Sequence, residues 1–376
     1  MRVLICADAF KDAADAPTVC RAIADGIRQV QPTAHLDICP LADGGEGTAR
    51  ILTNQLTARW VPVTSLDPLG RPITSGFGWL EDSRTAFLDM AETSGLQHLA
   101  PNERNPLYTS TFGTGQLLRA ALDQSPQRIY LGIGGSATND GGMGMAAALG
   151  YRFFVHNQPI TMPTGRHLAQ FTHVEDSERH PLLAKADIRV LCDVGNPLLG
   201  ELGATRTYGP QKGASPDDIS ELEKGLHRLD TWWEEHFGRS LANIAGSGAA
   251  GGLGAGLMAF CGARLVSGAE TIFDILDIRN RIRGKTLVIS GEGHLDHQTL
   301  SGKLIGQLAQ LTTKLEVPLV VLCGQQSLSY AALQQNGIQA AYTITPDGTP
   351  LPQALRNTPA NLSRTAVMVS RHYLTE

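Results

Sequence analysis

Short apolar runs alternate with amphipathic segments at the amino-terminal end of the chain. Residues 2–7 form an almost continuous apolar run, which is typical of a buried parallel strand. In residues 17–30 the apolar side chains recur at helical spacing, and residues 35–41 form a second apolar run. This order predicts a strand, a helix and a second strand.

The carboxyl-terminal part shows the same alternation. It predicts strands at residues 286–290, 317–323 and 338–344, and helices at residues 301–315 and 328–336. Strands that alternate with helices are typical of βαβ units and a parallel sheet. We therefore expect the two chain ends, residues 1–72 and 289–376, to build one α/β domain with a parallel sheet.

The middle of the chain has a different pattern. Residues 73–79 and 85–90 resemble a pair of strands, residues 188–192 a further strand, and residues 216–237 a long amphipathic helix. We interpret residues 73–288 as a second α/β domain that is inserted into the first.

Composition and charge limit the function classes. The chain has 376 residues, of which 42% are hydrophobic and 18% charged, and its formal net charge is −5. The mildly acidic balance and the lack of a long Lys/Arg run argue against nucleic acid or an anionic membrane as a partner. Residues 240–263 carry no charge, but Gly and Ala fill most of them, so we expect a buried helix and not a membrane span. We expect a cytoplasmic protein.

Glycine is unusually frequent, and its distribution is uneven. Many of the 41 glycines fall in residues 44–47, 132–144, 246–256 and 291–293. Glycines in a strand-to-helix turn allow positive φ angles and let a ligand approach backbone N–H groups. Three of these segments follow predicted strands and carry carboxylates or hydroxyls, so we expect them to line a phosphate-handling crevice.

The first glycine segment combines features that favour and oppose an anion. Its candidate binding residues are Asp43, Gly44, Gly45, Glu46, Gly47 and Thr48. The glycines and the following helix N-terminus suit an anion, whereas the two carboxylates repel one. A Mg²⁺-bridged phosphate, or a polyhydroxylated substrate held by the carboxylates, would satisfy both. The alternative is a structural turn with Asp as a helix cap.

The densest glycine cluster lies between a predicted strand at residues 128–131 and a predicted helix at residues 145–149. Its candidate binding residues are Gly134, Gly135, Ser136, Ala137, Thr138, Asn139 and Asp140. Hydroxyl, amide and carboxylate groups on a tightly folded backbone are typical of a site for a small polar ligand.

Two further glycine segments lead to different hypotheses. Residues 290–296 end an apolar run and contain Glu292 and Asp296, which are candidates to hold a metal ion or a substrate hydroxyl, while Lys303 is a candidate to neutralise a phosphate. Residues 246–251 fit the G-x-G-x-x-G pattern of dinucleotide-binding folds. The segment before them is a poor strand, which weakens that second hypothesis.

Carboxylates also follow two other apolar runs. Asp8 and Asp193 each lie at the carboxyl end of a predicted strand, where α/β folds place ligands, and Lys11 follows Asp8. A capping role is the alternative for each. The sequence has no Walker A, G-x-S-x-G or H-E-x-x-H motif. Glycine turns, carboxylates and lysines favour phosphoryl transfer, in which positioning and electrostatics dominate.

A series of motifs occurs in an order that is familiar from one enzyme family, and together the motifs cover nearly the whole chain. They resemble the signature motifs of the bacterial type I glycerate kinases. In chain order they are Ala7-Asp-Ala-Phe-Lys11, Leu41-Ala-Asp-Gly-Gly-Glu-Gly-Thr48, Phe112-Gly-Thr-Gly115, Gly132-Ile-Gly-Gly-Ser-Ala-Thr-Asn-Asp-Gly-Gly142, Cys192-Asp-Val-Gly-Asn-Pro-Leu198, Tyr208-Gly-Pro-Gln-Lys-Gly-Ala214, Gly248-Ala-Ala-Gly-Gly-Leu-Gly254 and Ser290-Gly-Glu-Gly-His-Leu-Asp-His-Gln-Thr299.

The resemblance implies a fold and a reaction. It implies a flavodoxin-like or Rossmann-like domain built from both chain ends, an inserted α/β domain of the restriction-endonuclease-like kind, and an active site in the crevice between them. The implied reaction is the phosphorylation of D-glycerate by ATP with Mg²⁺, giving 2-phosphoglycerate in preference to 3-phosphoglycerate. A homodimer is a candidate assembly.

The resemblance also suggests roles for individual residues. Asp193 would take the proton from the attacking hydroxyl, with Asp8 as the alternative base, and Lys11 would stabilise the transferring phosphoryl group. Glu292 and Asp296 would hold Mg²⁺ or substrate. The remaining candidates for substrate or phosphate binding are the turns 43–48 and 134–140 together with Lys212, Gly291, Glu292 and Lys303.

The chain departs from the family pattern in its first motif. The family usually has Pro-Asp-Ser-Phe-Lys followed by Gly-Ser, whereas this chain has Ala7, Ala9, Asp12 and Ala13 at the differing positions. A kinase for a related hydroxy acid therefore stays open as an alternative. The other two alternatives are a nicotinamide-dependent hydroxy-acid dehydrogenase, based on residues 246–251, and a metabolite sensor without catalysis.

Overall fold

A computed structural model describes residues 1–300 and 304–374, except for the side chains of residues 298 and 300. Strands and helices are numbered along the chain. The strands are β1 (Arg2–Ile5), β2 (His35–Ile38), β3 (Arg59–Leu66), β4 (Pro72–Leu80), β5 (Thr85–Asp89), β6 (Arg128–Gly132), β7 (Arg152–Val155), β8 (Gln158–Ile160), β9 (His173–Glu175), β10 (Asp187–Leu191), β11 (Arg264–Val266), β12 (Leu287–Leu295), β13 (Leu319–Gln326) and β14 (Ala340–Thr343).

The α-helices connect and cover these strands. They are α1 (Ala16–Val30), α2 (Thr48–Gln55), α3 (Ala91–Ser94), α4 (Phe112–Asp123), α5 (Met143–Ala148), α6 (Ala204–Tyr208), α7 (Pro216–Phe237), α8 (Leu253–Cys261), α9 (Gly268–Ile275), α10 (Ile278–Ile282), α11 (His297–Leu300), α12 (Leu304–Lys314), α13 (Tyr330–Gln335), α14 (Leu351–Arg356) and α15 (Thr358–Tyr373). Short 3₁₀ helices lie at Leu96–His98, Pro101–Glu103, Gly165–Ala169 and Pro210–Lys212.

The chain divides into two compact units. Unit 1 consists of Met1–Asp43 and Ala269–Glu376, and unit 2 of Gly44–Gly268. The predicted division had the same interrupted arrangement, but its boundaries lay at residues 72/73 and 288/289. Strand β3 pairs with β4 along its whole length, so both strands belong to unit 2. At the other boundary, α10 is tied to β2 because Arg281 donates to Asp37 at 2.9 Å, which places α10 in unit 1.

Unit 1 is an α/β unit with an entirely parallel sheet. Its strand order is β2-β1-β12-β13-β14, which is the 2-1-3-4-5 order of flavodoxin-like folds when the strands are counted within the unit. The apolar runs that predicted these strands are buried; Val3, Ile289 and Val320, for example, are fully shielded from solvent. The strand order reverses between β1 and β12, and this switch point is where such sheets bind ligands.

The helices of unit 1 pack closely on one another. The apolar face of α1 contains Val19, Ile23 and Ile27, all fully buried. At Gly26 a Cβ atom would overlap the backbone carbonyl of Ser363 in α15, so the absence of a side chain lets these two helices meet. The Asp15 side chain begins α1 by accepting a hydrogen bond from the Thr18 N–H at 2.8 Å.

Unit 2 contains a mixed sheet of six strands in the order β11-β10-β6-β5-β4-β3. Strands β5, β6, β10 and β11 run parallel, so their carboxyl ends share one edge of the sheet. Strands β3 and β4 are antiparallel to their neighbours, and β8-β7-β9 form a small separate sheet. The parallel edge carries the loops that the sequence singled out.

Several predicted elements of unit 2 are confirmed. The proposed pair of strands is β4 and β5, which are antiparallel partners. The long helix spans Pro216–Phe237 as predicted, with the Ser215 side chain at its start and Gly238 in a left-handed conformation at its end. In the uncharged segment 240–263 only Leu253–Cys261 is helical. Among the described residues, no helix is both long and apolar enough to cross a membrane.

Candidate active site

Asp193 lies just beyond the carboxyl end of β10, with its side chain exposed. Its Oδ1 atom accepts hydrogen bonds from the Ser267 hydroxyl and from the Gly268 N–H, both at 2.9 Å. These donors follow β11, the neighbouring parallel strand. The carboxylate lines a cavity of about 360 Å³ within unit 2, which Gly195 and Gly246 also line. Asp193 is therefore a carboxylate that two hydrogen bonds orient in the lining of a small cavity.

The two predicted glycine turns of unit 2 lie against each other. A Cβ atom on Gly134 would lie only 2.6 Å from the Cα atom of Gly45. The two backbones can therefore approach this closely only because residue 134 has no side chain. Gly44 adopts φ +90°, and a Cβ atom there would lie 2.8 Å from the Cβ atom of Leu191, the last residue of β10. The structure thus brings the turns 44–48 and 132–144 together beside the strand that leads to Asp193.

Lys212 is buried within the second turn. Its Nζ atom donates to the Thr138 carbonyl oxygen at 2.7 Å and to the Ser136 hydroxyl at 3.3 Å. Only 2% of the residue is exposed, and burial lowers the pKa of this ammonium group to about 7, although the carboxylate of Asp140 opposes the shift. Lys212 fixes the conformation of the turn and adds positive charge behind it.

Asp140 and Asn139 bind other parts of unit 2. The Asp140 carboxylate accepts hydrogen bonds from the N–H and hydroxyl of Thr111 and from the N–H groups of Gly142 and Gly144. Burial nevertheless raises the pKa of this carboxyl above its ordinary value. The Asn139 amide donates to the Thr205 hydroxyl at 3.1 Å. Both side chains are fully buried, so in this structure they stabilise the conformation of the turn and do not face solvent.

In unit 1, Asp8 lies at the carboxyl end of β1, next to the switch point of the sheet. Its N–H donates to the Gly291 carbonyl at 3.2 Å, and its half-buried carboxylate accepts from the Ala9 N–H at 2.6 Å. The pKa of Asp8 is raised to about 7, first by burial and then by the nearby carboxylates of Asp43 and Glu292, although the Ala9 N–H opposes the shift. The carboxylates of Asp43 and Glu292 therefore both lie near Asp8 at this edge of the sheet.

The turn after β1 presents Lys11 to solvent. The turn is closed by hydrogen bonds between Phe10 and Ala14, and Asp12 has a φ angle of +62°, which is unusual for a residue other than glycine. A Cβ atom on Gly291 would lie 2.9 Å from the Leu322 carbonyl oxygen and 3.2 Å from the Phe10 ring. Gly291 is therefore needed for close packing beneath this turn.

Asp296, one of the two predicted metal ligands, lies at the start of a short helix. Asp296 precedes α11, and its Oδ1 atom accepts from the Thr299 N–H at 3.0 Å, which is a capping arrangement. Within the part of the chain that the structure describes, no group of three or more His, Cys, Asp or Glu side chains is arranged to hold a metal ion. Lys303 lies outside the described residues.

The G-x-G-x-x-G segment is a packing element. No strand directly precedes it, because α7 ends at Phe237 and residues 238–252 form turns and irregular structure. A Cβ atom on Gly251 would overlap the Thr138 carbonyl oxygen, and one on Gly248 would overlap the Pro197 carbonyl oxygen. Gly251 lets the segment pack against the turn 132–144, and Gly248 lets it pack against the backbone at Pro197. The strand that the dinucleotide-binding hypothesis requires is absent from this segment.

Comparison with known proteins gives a consistent family over almost the whole chain. A sequence model of the glycerate kinase family matches residues 3–374. The chain belongs to the glycerate kinase family. It is 41% identical over 366 residues to a glycerate kinase of Halalkalibacterium halodurans, covering 97% of this chain and 96% of the relative. It is 38% identical to a glycerate 2-kinase of Escherichia coli K12, with the same coverage of both chains.

A solved structure of this family has the same fold. The crystal structure of a Salmonella typhimurium LT2 protein assigned as glycerate kinase 2 superimposes with a TM-score of 0.85 at 37% sequence identity. The match covers 99% of this chain and 98% of the other. The mixed α/β architecture with parallel sheets is therefore that of a glycerate kinase family member.

Sequence reasoning missed three supporting residues of this family member. Thr111 binds Asp140, Thr205 binds Asn139, and Ser267 binds Asp193, all through side-chain hydroxyls. Thr111 directly precedes the Phe112-Gly-Thr-Gly115 motif, and Ser267 follows an apolar strand, so local signals existed for these two. Thr205 carries no such signal, because its partner is 66 positions away along the chain.

Proposed function

We propose that this chain is an ATP-dependent kinase that phosphorylates D-glycerate, with 2-phosphoglycerate as the favoured product. Family membership supports the reaction class, and the glycerate 2-kinase relative supports the choice of hydroxyl. The structural observation that carries the proposal is the close approach of the turns 44–48 and 132–144 at the carboxyl edge of the parallel strands, beside the strand leading to Asp193. Phosphoryl transfer depends on this kind of fixed backbone and charge arrangement.

We assign the role of general base to Asp193. Its carboxylate is exposed to a cavity, and two hydrogen bonds from Ser267 and Gly268 hold one of its oxygen atoms. A base in this position would accept the proton of the attacking glycerate hydroxyl. Asp8 is the alternative base, but its position near the carboxylates of Asp43 and Glu292 favours a role in cation binding.

The binding roles follow from charge and backbone geometry. The turns 44–48 and 134–140 supply backbone N–H groups and hydroxyls for glycerate and phosphate oxygens, with buried Lys212 as a positive charge behind the second turn. Lys11 is exposed and would stabilise negative charge on the transferring phosphoryl group. Lys303 stays a candidate for phosphate neutralisation.

The acidic edge of unit 1 fits a magnesium–nucleotide complex. Mg²⁺ prefers carboxylate oxygens, and it is usually held by one or two of them together with substrate phosphates. The carboxylates of Asp43 and Glu292 raise the pKa of Asp8, and a cation would relieve this repulsion. Glu292 and Asp296 would hold the ion, with Asp8 beside them. When bound, Mg²⁺ would neutralise charge on the phosphates.

The reaction is tested directly with the purified protein, ATP, Mg²⁺ and D-glycerate. We expect ADP release that depends on D-glycerate, and phosphorus NMR should assign the product as the 2-phosphate. Assignment as the 3-phosphate would correct the product, and a faster rate with another hydroxy acid in a small panel would correct the substrate. Binding of D-glycerate without ADP release would favour a sensor. Oxidation or reduction of a nicotinamide cofactor with glycerate or hydroxypyruvate would favour a dehydrogenase.

A further inference from the structure

Asp89 is a buried carboxyl group that the proposed mechanism does not use. It is the last residue of β5, only 1% of it is exposed, and it lies at the same sheet edge as the glycine turns. Its Oδ2 atom accepts a hydrogen bond from the Ala49 N–H at 2.9 Å. Ala49 lies in the first turn of α2, directly after the turn 44–47.

Helix α2 has no side-chain cap of its own. Gly47 is at the N-cap position with a φ angle of +86°, and a glycine has no side chain that could accept from the first N–H groups of the helix. Asp89, about 40 positions away in sequence, supplies the missing acceptor. The hydrogen bond to Asp89 therefore connects the start of α2, and with it the turn 44–47, to the end of β5.

The second oxygen of Asp89 lies beside the same turn. A Cβ atom on Gly132 would lie 2.7 Å from the Oδ1 atom of Asp89 and 2.7 Å from the Gly44 carbonyl oxygen. Gly132 is the register partner of Asp89 in β6, so its lack of a side chain makes room for both oxygen atoms. Oδ1 is buried and has no hydrogen-bond partner among the described residues.

We propose that Asp89 is a positioning residue, which fixes the turn 44–47 and the start of α2 by accepting from Ala49 with one oxygen and presenting a protonated second oxygen towards the Gly44 carbonyl. This inference rests on the proposed function, in which that turn binds substrate. Burial raises the pKa of Asp89 to about 8, although the N–H groups of Ala49 and Gly47 oppose the shift, so the neutral acid prevails at pH 7. A neutral carboxylic acid can donate where a carboxylate cannot.

The charged groups around Asp89 favour its neutral form. Glu92 of α3 and Glu46 of the turn both raise the pKa of Asp89. Arg50 of α2 pairs with Glu92, through Nε at 2.7 Å and Nη2 at 3.0 Å, and stacks on the Trp60 ring. Arg50 thus forms its ion pair with Glu92 and not with Asp89. Ionisation of Asp89 above pH 8 would place a third negative charge near the turn and remove the donor.

Two substitutions at position 89 test whether Asp89 positions the turn through hydrogen bonds or only fills space in the core. Asp89→Asn keeps an oxygen acceptor for Ala49 and an N–H donor for Gly44, so we expect KM and kcat within about twofold of the wild type at pH 7. Asp89→Ala removes both, and we expect KM for D-glycerate or ATP to rise about tenfold with kcat changed less than threefold. From pH 7 to 9 the wild-type KM should rise by more than the KM of Asp89→Asn, which keeps only the pH dependence of the other site groups.

A matched control is the loss of a cap in unit 1. Ser329 caps α13 by accepting from the Ala332 N–H at 3.2 Å, and Ser329→Ala should lower stability without changing KM. Unchanged KM in a folded Asp89→Ala variant would overturn the proposal. Equal loss in Asp89→Asn and Asp89→Ala, or equal pH profiles of the wild type and Asp89→Asn, would overturn it too. If Asp89→Ala does not fold, the Asp89→Asn pH profile decides.

Hydrogen exchange makes the test independent of the reaction. In Asp89→Ala we expect faster amide exchange in a peptide covering residues 44–55, with little change in Asp89→Asn and none in Ser329→Ala. Unchanged exchange in Asp89→Ala would overturn the positioning role even if the kinase reaction is found. If the wild type shows no kinase activity but exchange behaves as expected, the proposed function fails and the structural link between Asp89 and the turn stands.

Discussion

Lys212 donates from Nζ to the carbonyl oxygen of Thr138 at 2.7 Å, across a separation of 74 positions in the chain. The bond joins the motif at residues 208–214 to the turn 132–144. Because burial shifts the pKa of this ammonium group from its ordinary 10.5 to about 7, the contact is also a source of pH-dependent stability.

Replacing Lys212 with Met should change how stability depends on pH. Between about pH 7 and pH 10.5 Lys212 is mostly protonated in the unfolded chain and mostly deprotonated in the folded chain. The free energy of unfolding of the wild type therefore increases as the pH rises through this range. This contribution has a slope of at most about 1.4 kcal/mol per pH unit. We expect the free energy of unfolding in urea to increase from pH 7 to pH 9 by more in the wild type than in Lys212→Met. A constant difference between the two proteins would contradict the lowered pKa of Lys212 in the folded chain.

Asp193→Asn should abolish most turnover while the fold is kept. Loss of a general base typically lowers the rate by about 10²–10⁴-fold, and amide for carboxylate is a nearly isosteric change on an exposed side chain. ADP release with saturating substrates measures the loss, and circular dichroism checks the fold. Ser267→Ala should lose less activity, because the Gly268 N–H still holds Asp193. Turnover close to normal in Asp193→Asn would reject Asp193 as the base.

Gly134→Ala should separate the two glycine turns. The new Cβ atom would lie 2.6 Å from the Gly45 Cα atom, so one backbone must move. We expect KM to rise about tenfold or more, since misplacement of a binding group by about 1 Å can cost 10²-fold. Gly238→Ala, at the end of α7, is the control for an added methyl group, because its Cβ atom would meet nothing within 4 Å and its positive φ angle adds only local strain. Equal kinetic effects of the two substitutions would show that the contact between the turns is unimportant.

Glu292→Gln should weaken the use of Mg²⁺. Removing one carboxylate from the group with Asp8 and Asp43 lowers the local negative charge, so a higher Mg²⁺ concentration is needed for the half-maximal rate. A Mg²⁺ titration at fixed ATP and D-glycerate measures this shift, for which we expect about tenfold. Glu316→Gln, on the loop before β13, is a charge-matched control that should leave the titration unchanged. An unaltered midpoint in Glu292→Gln would exclude Glu292 from the metal site.

Local patterns were enough to predict much of the fold and to single out candidate site residues. The apolar run 2–7 became the buried strand β1, and the helical spacing of residues 216–237 became α7 with the same limits. Glycines and carboxylates that follow such strands were recognisable as candidate site residues, because the carboxyl ends of parallel strands share one edge. These features depend on side-chain periodicity and backbone freedom over a few residues, which a sequence displays directly.

Other features were decided by contacts between distant parts of the chain. The position of β3 beside β4 set the first unit boundary, the partner of Lys212 proved to be Thr138, and Asp89 proved to cap a helix from another strand. The sequence by itself determined which residues carry charge, hydroxyls and conformational freedom, and in which strands and turns they lie. Only the tertiary structure decided which of them are in contact. Strand order and loop packing bring together groups that are far apart in the sequence, and separation along the chain does not indicate distance in space.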